Sequence, residues 1–240
     1  MAEHANPSSD PADDDSLAGT LRAAFRKFLQ QTDDCLPARV VSFDRDTNRA
    51  TVVPCVTVLT TDGRAVNRAQ VASVPVLQIG GGGVVLNFNL KPGDLGYIKA
   101  NDRDVSLFLQ GYNTSPPNTL RLHSFQDAVF IPDVMRGWTI AGEDAENAVL
   151  QTLDGNARVS VGDSWVKLTF GAHTFTLDAA GIKAIAGANS LAVTPTGTTI
   201  VGPVTMTGAV TNTGGITIDG IAFGSHVHPD PQGSTTGGPQ

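Results

Sequence analysis

The chain of 240 residues carries 16 Lys+Arg against 23 Asp+Glu, a formal net charge of -7, which argues against a protein that grips a phosphate backbone and so against nucleic acid as a partner. No apolar run approaches the roughly 20 residues that a helix needs to cross a bilayer, and the opening MAEHANPSSDPADDDS lacks the basic and apolar stretches of a secretory signal, so the expectation is a soluble protein made in the cytoplasm. Two cysteines, Cys35 and Cys55, are too few for a disulfide framework and are read as free thiols, while 26 Gly, 14 Pro and 6% aromatic residues point to an all-β chain of short strands and turns.

Residues 1–36 divide into a polar arm and one helix. The arm, with Asp13, Asp14 and Asp15 in a row, has too little apolar surface to offset its ordering entropy and is expected to be mobile. Leu17, Leu21, Ala24, Phe25, Phe28 and Leu29 then recur at helical spacing, with Arg22, Arg26 and Lys27 on other faces and Ser16 placed to cap the start. The apolar stripe either packs on the following domain or docks onto a partner protein; the acidic flank and short stripe disfavour a membrane surface.

Over residues 37–147 the pattern changes to period two. The runs Ala38 to Phe43, Ala50 to Leu59, Val84 to Phe88, Leu95 to Lys99 and Val105 to Leu109 are separated by DRDTNR, TDGR, GGGG, KPGD and NDRD. Five short strands predict a partly open, OB-like five-stranded barrel, with Pro54 marking an edge or a bulge. The aromatic platform and basic groove of an oligonucleotide-binding barrel are poorly represented, which favours a structural barrel.

The catalytic inventory is thin, and the expectation is a protein that is not an enzyme. Gly80 to Gly83 is followed by no GK[ST] and reads as a turn, the only glutamates are Glu3, Glu143 and Glu146, and no GxSxG or HExxH occurs. His123 and His173 stand alone in the sequence, which suits packed or surface residues better than ligands.

Residues 148–220 read as a shaft. Short alternating stretches run at Val159 to Val161, Trp165 to Phe170, His173 to Leu177, Gly181 to Ile185, Ser190 to Thr194, Gly197 to Val201 and Ile216 to Ile218, and from Ala184 to Ile218 there is no Asp, Glu, Lys or Arg. A solvated sheet ordinarily carries charge on its edges, since uncharged flat β structure aggregates. Short strands can close such edges by winding several chains around one axis, which predicts an intertwined oligomeric β-prism or β-helix over a single-chain solenoid, for which no fixed period is found.

Residues 221–240 hold Phe223-Gly224-Ser225-His226-Val227-His228-Pro229-Asp230. In extended chain His226 and His228 point to one face, a pair that could ligate a metal or be two exposed histidines on a tail. In a parallel homotrimer three copies of each give six nitrogens, an octahedral set that disfavours tetrahedral zinc.

Three stretches, PARVVSFDRDTNRATVVPCV from Pro37, VPVLQIGGGGVVLNFNLKPGDLGYIKANDRDVSLFLQG from Val74 and RLHSFQDAVFIP from Arg121, resemble the N-terminal OB-type domain of the central spike, or membrane-puncturing, proteins of contractile phage tails. The ending SHVHPDPQGSTTGGPQ resembles the family's spike apex. The resemblance implies a virion baseplate protein, a homotrimer whose barrel joins the tail hub and whose β-shaft is a rigid needle meeting the host outer membrane transiently. It also implies one iron ion per trimer, held by His226 and His228 of all three chains. Some relatives carry a lysozyme domain, for which this chain has no segment. A receptor-binding trimeric tail fibre or adhesin is the alternative.

Overall fold

A computed structural model describes residues 16–30, 32–60, 63–135, 137–219, 221, 222 and 227. The chain is mostly β and divides into two compact units, Met1–Gly137 and Trp138–Gln240.

The first unit opens with α1 (Leu17–Gln30), where the Ser16 hydroxyl accepts the Gly19 N–H at 3.0 Å and so caps the helix as its sequence predicts. The apolar stripe from Leu17 to Leu29 is exposed, which removes the reading that it packs on its own domain. There follow β1 (Cys35–Asp44), β2 (Arg49–Pro54), β3 (Val58–Leu59), β4 (Ala65–Val66), β5 (Val71–Pro75), β6 (Ile79–Gly81), β7 (Val84–Leu86), β8 (Leu95–Asn101), α2 (Ser106–Gly111) and β9 (Ser124–Pro132).

Five of these strands form an antiparallel sheet in the order β5-β2-β1-β8-β9. It curls until Val76 bridges Phe130 and the Leu77 N–H donates to the Phe130 carbonyl at 2.8 Å, leaving a nearly closed barrel. Alternate residues turn inward, so Ala38 and Val40, Ala50 and Val52, Ile98 and Ala100, and Ala128 and Phe130 meet in one buried core. Each buried valine, isoleucine or phenylalanine contributes about 1.5–3 kcal/mol over its exposed state, enough together to hold a barrel of this size. Phe130 lies against β8 only because position 96 is glycine: a Cβ there would come within 2.5 Å of the Phe130 ring.

The strand count matches the expectation, but its membership does not. Ala38 to Phe43, the first part of Ala50 to Leu59, and Leu95 to Lys99 lie in β1, β2 and β8. Val84 to Phe88 instead supplies β7 of a separate hairpin with β6, and Val105 to Leu109 is largely the helix α2. There the buried Asp104 accepts the Ser106 N–H at 2.9 Å and turns the chain, after which Leu107, Phe108 and Leu109, none branched at Cβ, go on as helix. The two remaining barrel strands are β5 and β9. Pro54 closes β2 opposite Ala38 and beyond the last rung with β5 (Val52 opposite Val71), so its missing N–H costs no ladder bond there.

The second unit begins with a 3-10 turn (Gly142–Asp144). The strands β10 (Ala148–Gln151), β11 (Ala157–Val161), β12 (Trp165–Phe170), β13 (His173–Asp178), β14 (Gly181–Ala186), β15 (Asn189–Thr194) and β16 (Gly197–Val201) then form a seven-stranded meander, each pairing antiparallel with the next. Two-residue loops join the later strands; Gly171 and Gly187 open two of them with φ of 57° and 62°, which glycine adopts at little cost. Residues 203–216 contain no strand, and β17 (Thr217–Ile218) pairs with β18 (Ile221–Ala222).

The edge argument for chain winding therefore needs correction over this sheet. Both edges of β11 through β15 are already paired within one chain, because short turns bring each strand back beside its predecessor. What the chain leaves uncovered is a face.

Candidate functional site

The register of the meander sorts its side chains. Ala148, Val161, Val166, Leu177, Ile182, Val193 and Thr198 stand opposite one another in one row across all seven strands. Leu150, Val159, Leu168, Phe175, Ala184, Leu191 and Ile200 form the next row on the same face. Thirteen of these fourteen are apolar, and no described residue covers them: Leu150 is 51% exposed, Leu168 46%, Phe175 43% and Ile200 52%. A contiguous apolar surface of this extent is the candidate association site of the chain.

The opposite face is polar and partly covered. Val149, Ser160, Lys167, Thr176, Lys183, Ala192 and Thr199 form one of its rows, five of the seven polar, and the 3-10 turn is held over the first strands by ion pairs. Arg158 Nε donates to Asp144 Oδ2 at 2.6 Å, Lys167 Nζ to Glu143 Oε2 at 2.8 Å, and Arg158 also reaches Glu143. Burial pushes the Asp144 carboxyl up, yet the polar groups around it, Ser160 beside it and Arg158 and Asn147 bonded to it, outweigh burial and leave the pKa lowered. The bond from Lys167 does most to lower Glu143. With this face fixed by ion pairs, the apolar one is left to meet another surface.

In the first unit the polar clusters hold loops to the barrel. Arg121 donates to Asp127 Oδ2 at 2.9 Å and to Asp104 Oδ2 at 3.1 Å, and Thr119 reaches the same Asp104 oxygen at 2.7 Å, tying the long α2 to β9 connection to its strands. A cavity of about 460 Å³ opens where Ala69–Ala72 and Ser124–Gln126 stand apart. Asp33 pairs there with Arg68 at 2.9 Å and accepts the Phe125 N–H at 3.2 Å, while the guanidinium lies 5.7 Å from the Phe125 ring centroid. This is a structural clasp between the residues after α1 and the open side of the barrel.

Other sequence candidates are dispersed. Gly82 and Gly83 turn the β6–β7 hairpin with φ of 59° and 84°, as a turn reading of the run expects. Cys35 and Cys55 are exposed free thiols. Glu143 serves the ion pairs, Glu146 is exposed, His173 pairs with Phe170 across β12 and β13, and His123 Nδ1 stands 3.9 Å from Asp102. His226, His228 and Glu3 lie outside the described residues. Among the described residues no three His, Cys, Asp or Glu side chains group closely enough to hold a metal.

The apolar ladder is the feature that sequence reasoning missed. Its signal was present: folding the chain at Gly171–Ala172, Ala179–Ala180 and Gly187–Ala188 puts Val166, Leu177, Ile182 and Val193 in one row. β10, with Leu150, gave too short a run to stand out.

No curated protein matches the chain. The family model described as the phage protein Gp138 N-terminal domain matches residues 36–133, a span that runs from β1 to the residue after β9 and leaves out α1 and the whole second unit. The barrel, with the paired strands β3–β4 and β6–β7 and the helix α2, is therefore similar to a phage protein domain.

Proposed function

We propose that the protein is a structural, non-enzymatic component of a phage virion: the trimeric needle at the tip of a contractile tail, attached to the tail hub through its barrel and driven through the host envelope by sheath contraction. The observation that carries the reading is the uncovered apolar face of β10–β16. Three such sheets set face to face around an axis bury three apolar ladders in one dry core and turn three polar faces outward, a form that resists bending and compression. The phage-domain match over the barrel supports placement in a virion. Residues 203–216, uncharged and without in-chain strands, suit winding with two copies beyond the meander.

At the far end, His226 and His228 of three chains would supply six imidazole nitrogens to one axial iron ion, tying together termini that otherwise fray. Contraction supplies the force, so piercing asks of this chain only stiffness and a closed tip. Mass measurement of the full chain by light scattering, with elemental analysis of the same sample, tests the reading. Three chains and one iron are expected; a folded monomer at micromolar concentration overturns it, and a trimer without transition metal removes the apex assignment alone. Replacing both histidines by Ala should abolish the metal and leave the trimer intact.

A further inference from the structure

The hairpin of β6 and β7 is a two-stranded ribbon outside the barrel sheet, and its two faces differ. Ile79 pairs with Leu86 and Gly81 with Val84, so Ile79, Val84 and Leu86 share one face while Gly80 and Val85 lie on the other. One place further from the tip, Gln78 and Asn87 follow on the side of Gly80 and Val85, and both are tied to the β1–β2 turn. Gln78 Nε2 donates to Asn48 Oδ1 at 2.9 Å, and Arg45 Nε donates to Asn87 Oδ1 at 3.2 Å. The polar side is thereby held to the barrel and the apolar side is left open, with Ile79 69% and Val84 76% exposed. A two-stranded ribbon with no surface to pack on is marginal in water, so this face calls for cover.

Charge and position identify the occupant. From Ala69 to Leu90 there is no Asp, Glu, Lys or Arg, in a chain that is 16% charged. Copies of a chain with net charge -7 repel one another and meet best through uncharged surface, whereas a different protein is met equally well by complementary charge. Strand direction then separates the two poles of the barrel. β1, β5 and β9 all run the same way, which puts the β1–β2 turn, the hairpin after β5 and the end of β9 at one pole. α1 enters at the other, where Asp33 accepts the Phe125 N–H at the start of β9. The chain leaves the barrel from the hairpin pole, and only Asp133–Gly137, spanning at most about 18 Å, precede the second unit. A tail hub that stacks on the barrel away from this exit meets the α1 pole and leaves the hairpin to the copies.

We infer that the β6–β7 hairpins of three copies meet by their apolar faces as a collar at the pole from which the chains leave their barrels. This rests on the trimer reading above, because faces this small do not hold chains together alone. Chains already joined through their second units are tied by short segments that start at this pole, so their hairpins stay at high effective concentration and a weak contact suffices.

The test uses the full chain with the photoreactive residue benzoylphenylalanine in place of Val84, on the apolar face, or of the neighbouring exposed Val85, on the other face. Irradiation should link chain to chain at least about five-fold more from position 84 than from position 85, with the links falling on residues 77–88 of another copy. Ile79→Asp with Leu86→Asp should remove that difference while the mass stays trimeric and the barrel melts as before. A trimer that links equally from both positions, links to another segment or does not link at all overturns the collar and leaves the trimer standing. A monomeric mass for the parent chain overturns the trimer reading first and this one with it.

Discussion

In the barrel the inward residues of every strand meet another strand across the core, and Val40, Val52, Ile98 and Phe130 are 2% exposed or less. In the seven-stranded meander the corresponding apolar residues stand in better order yet remain open, with Val166 40%, Leu168 46% and Leu177 49% exposed. The difference lies in the ladders. The barrel sheet slips register between Val40 and Ser42, between Ala50 and Val52, and between Ala100 and Asn101. Such irregularities bend and twist strands, and the sheet curls onto its own face. The six pairings of the meander run without a slip. A regular sheet does not close on itself, so one chain finishes the barrel and leaves the apolar face of its meander uncovered.

The largest effect should come from charging the open face. Leu168→Asp with Phe175→Asp places carboxylates in neighbouring positions of the central ladder, where burial without a partner is prohibitive. Sedimentation should then report monomers in place of trimers, and an unchanged trimer would show that the opposite face makes the contact. A complementary test isolates residues 138–240, which should trimerise without the barrel. If that fragment is soluble and monomeric, assembly belongs to the first unit and the comparison is inverted.

A cavity in the barrel should act locally. Phe130→Ala removes the largest side chain of a fully buried core and is expected to cost about 3–5 kcal/mol in the barrel's own unfolding transition. Sedimentation should still give a trimer. Loss of the trimer with the barrel core would mean that the two units do not fold as separate bodies.

How much of this was legible follows from what alternation can and cannot carry. Period two marked β1, β2 and β8 and six of the seven meander strands, because each has apolar residues at every second position and a turn signal at its end. It failed at Val105 to Leu109, where a run of five residues with four apolar fits a strand or a helix equally and the decision rests with the buried Asp104. It also passed over β5 and β9. In β5, Ser73 at φ 57° breaks the alternation, and β9 carries Asp127 on a buried position, acceptable only because Arg121 reaches it from six residues away. The absence of charge from Ala184 to Ile218 suggested edges that one chain cannot close, but over the meander the chain pairs its own inner edges and leaves a face open instead. The pair His226 and His228 was legible as chemistry alone.

The smallest expected effect sharpens the comparison at its polar positions. Hydrogen bonds from Ser106 and Thr119, more than the neighbouring Arg121 charge, hold the Asp104 carboxyl well below the usual carboxylate range. A carboxyl lowered in the folded state contributes stability that is present above the unfolded pKa and is lost as pH falls toward the folded one. The unfolded chain takes up its proton first, so the barrel transition should move to lower temperature as pH drops below about 5. Asp104→Asn keeps the shape, loses the titration and should flatten that part of the profile, although it lowers the transition at neutral pH by weakening the hold on Thr119 and Arg121. The lowered Glu143 and Asp144 give the second unit an acid sensitivity of the same sign, but in the proposed trimer the apolar ladders carry the assembly. Acid should therefore melt the barrel while a trimer of residues 138–240 persists; simultaneous loss of both would place the ion pairs, and not the apolar face, in control of assembly.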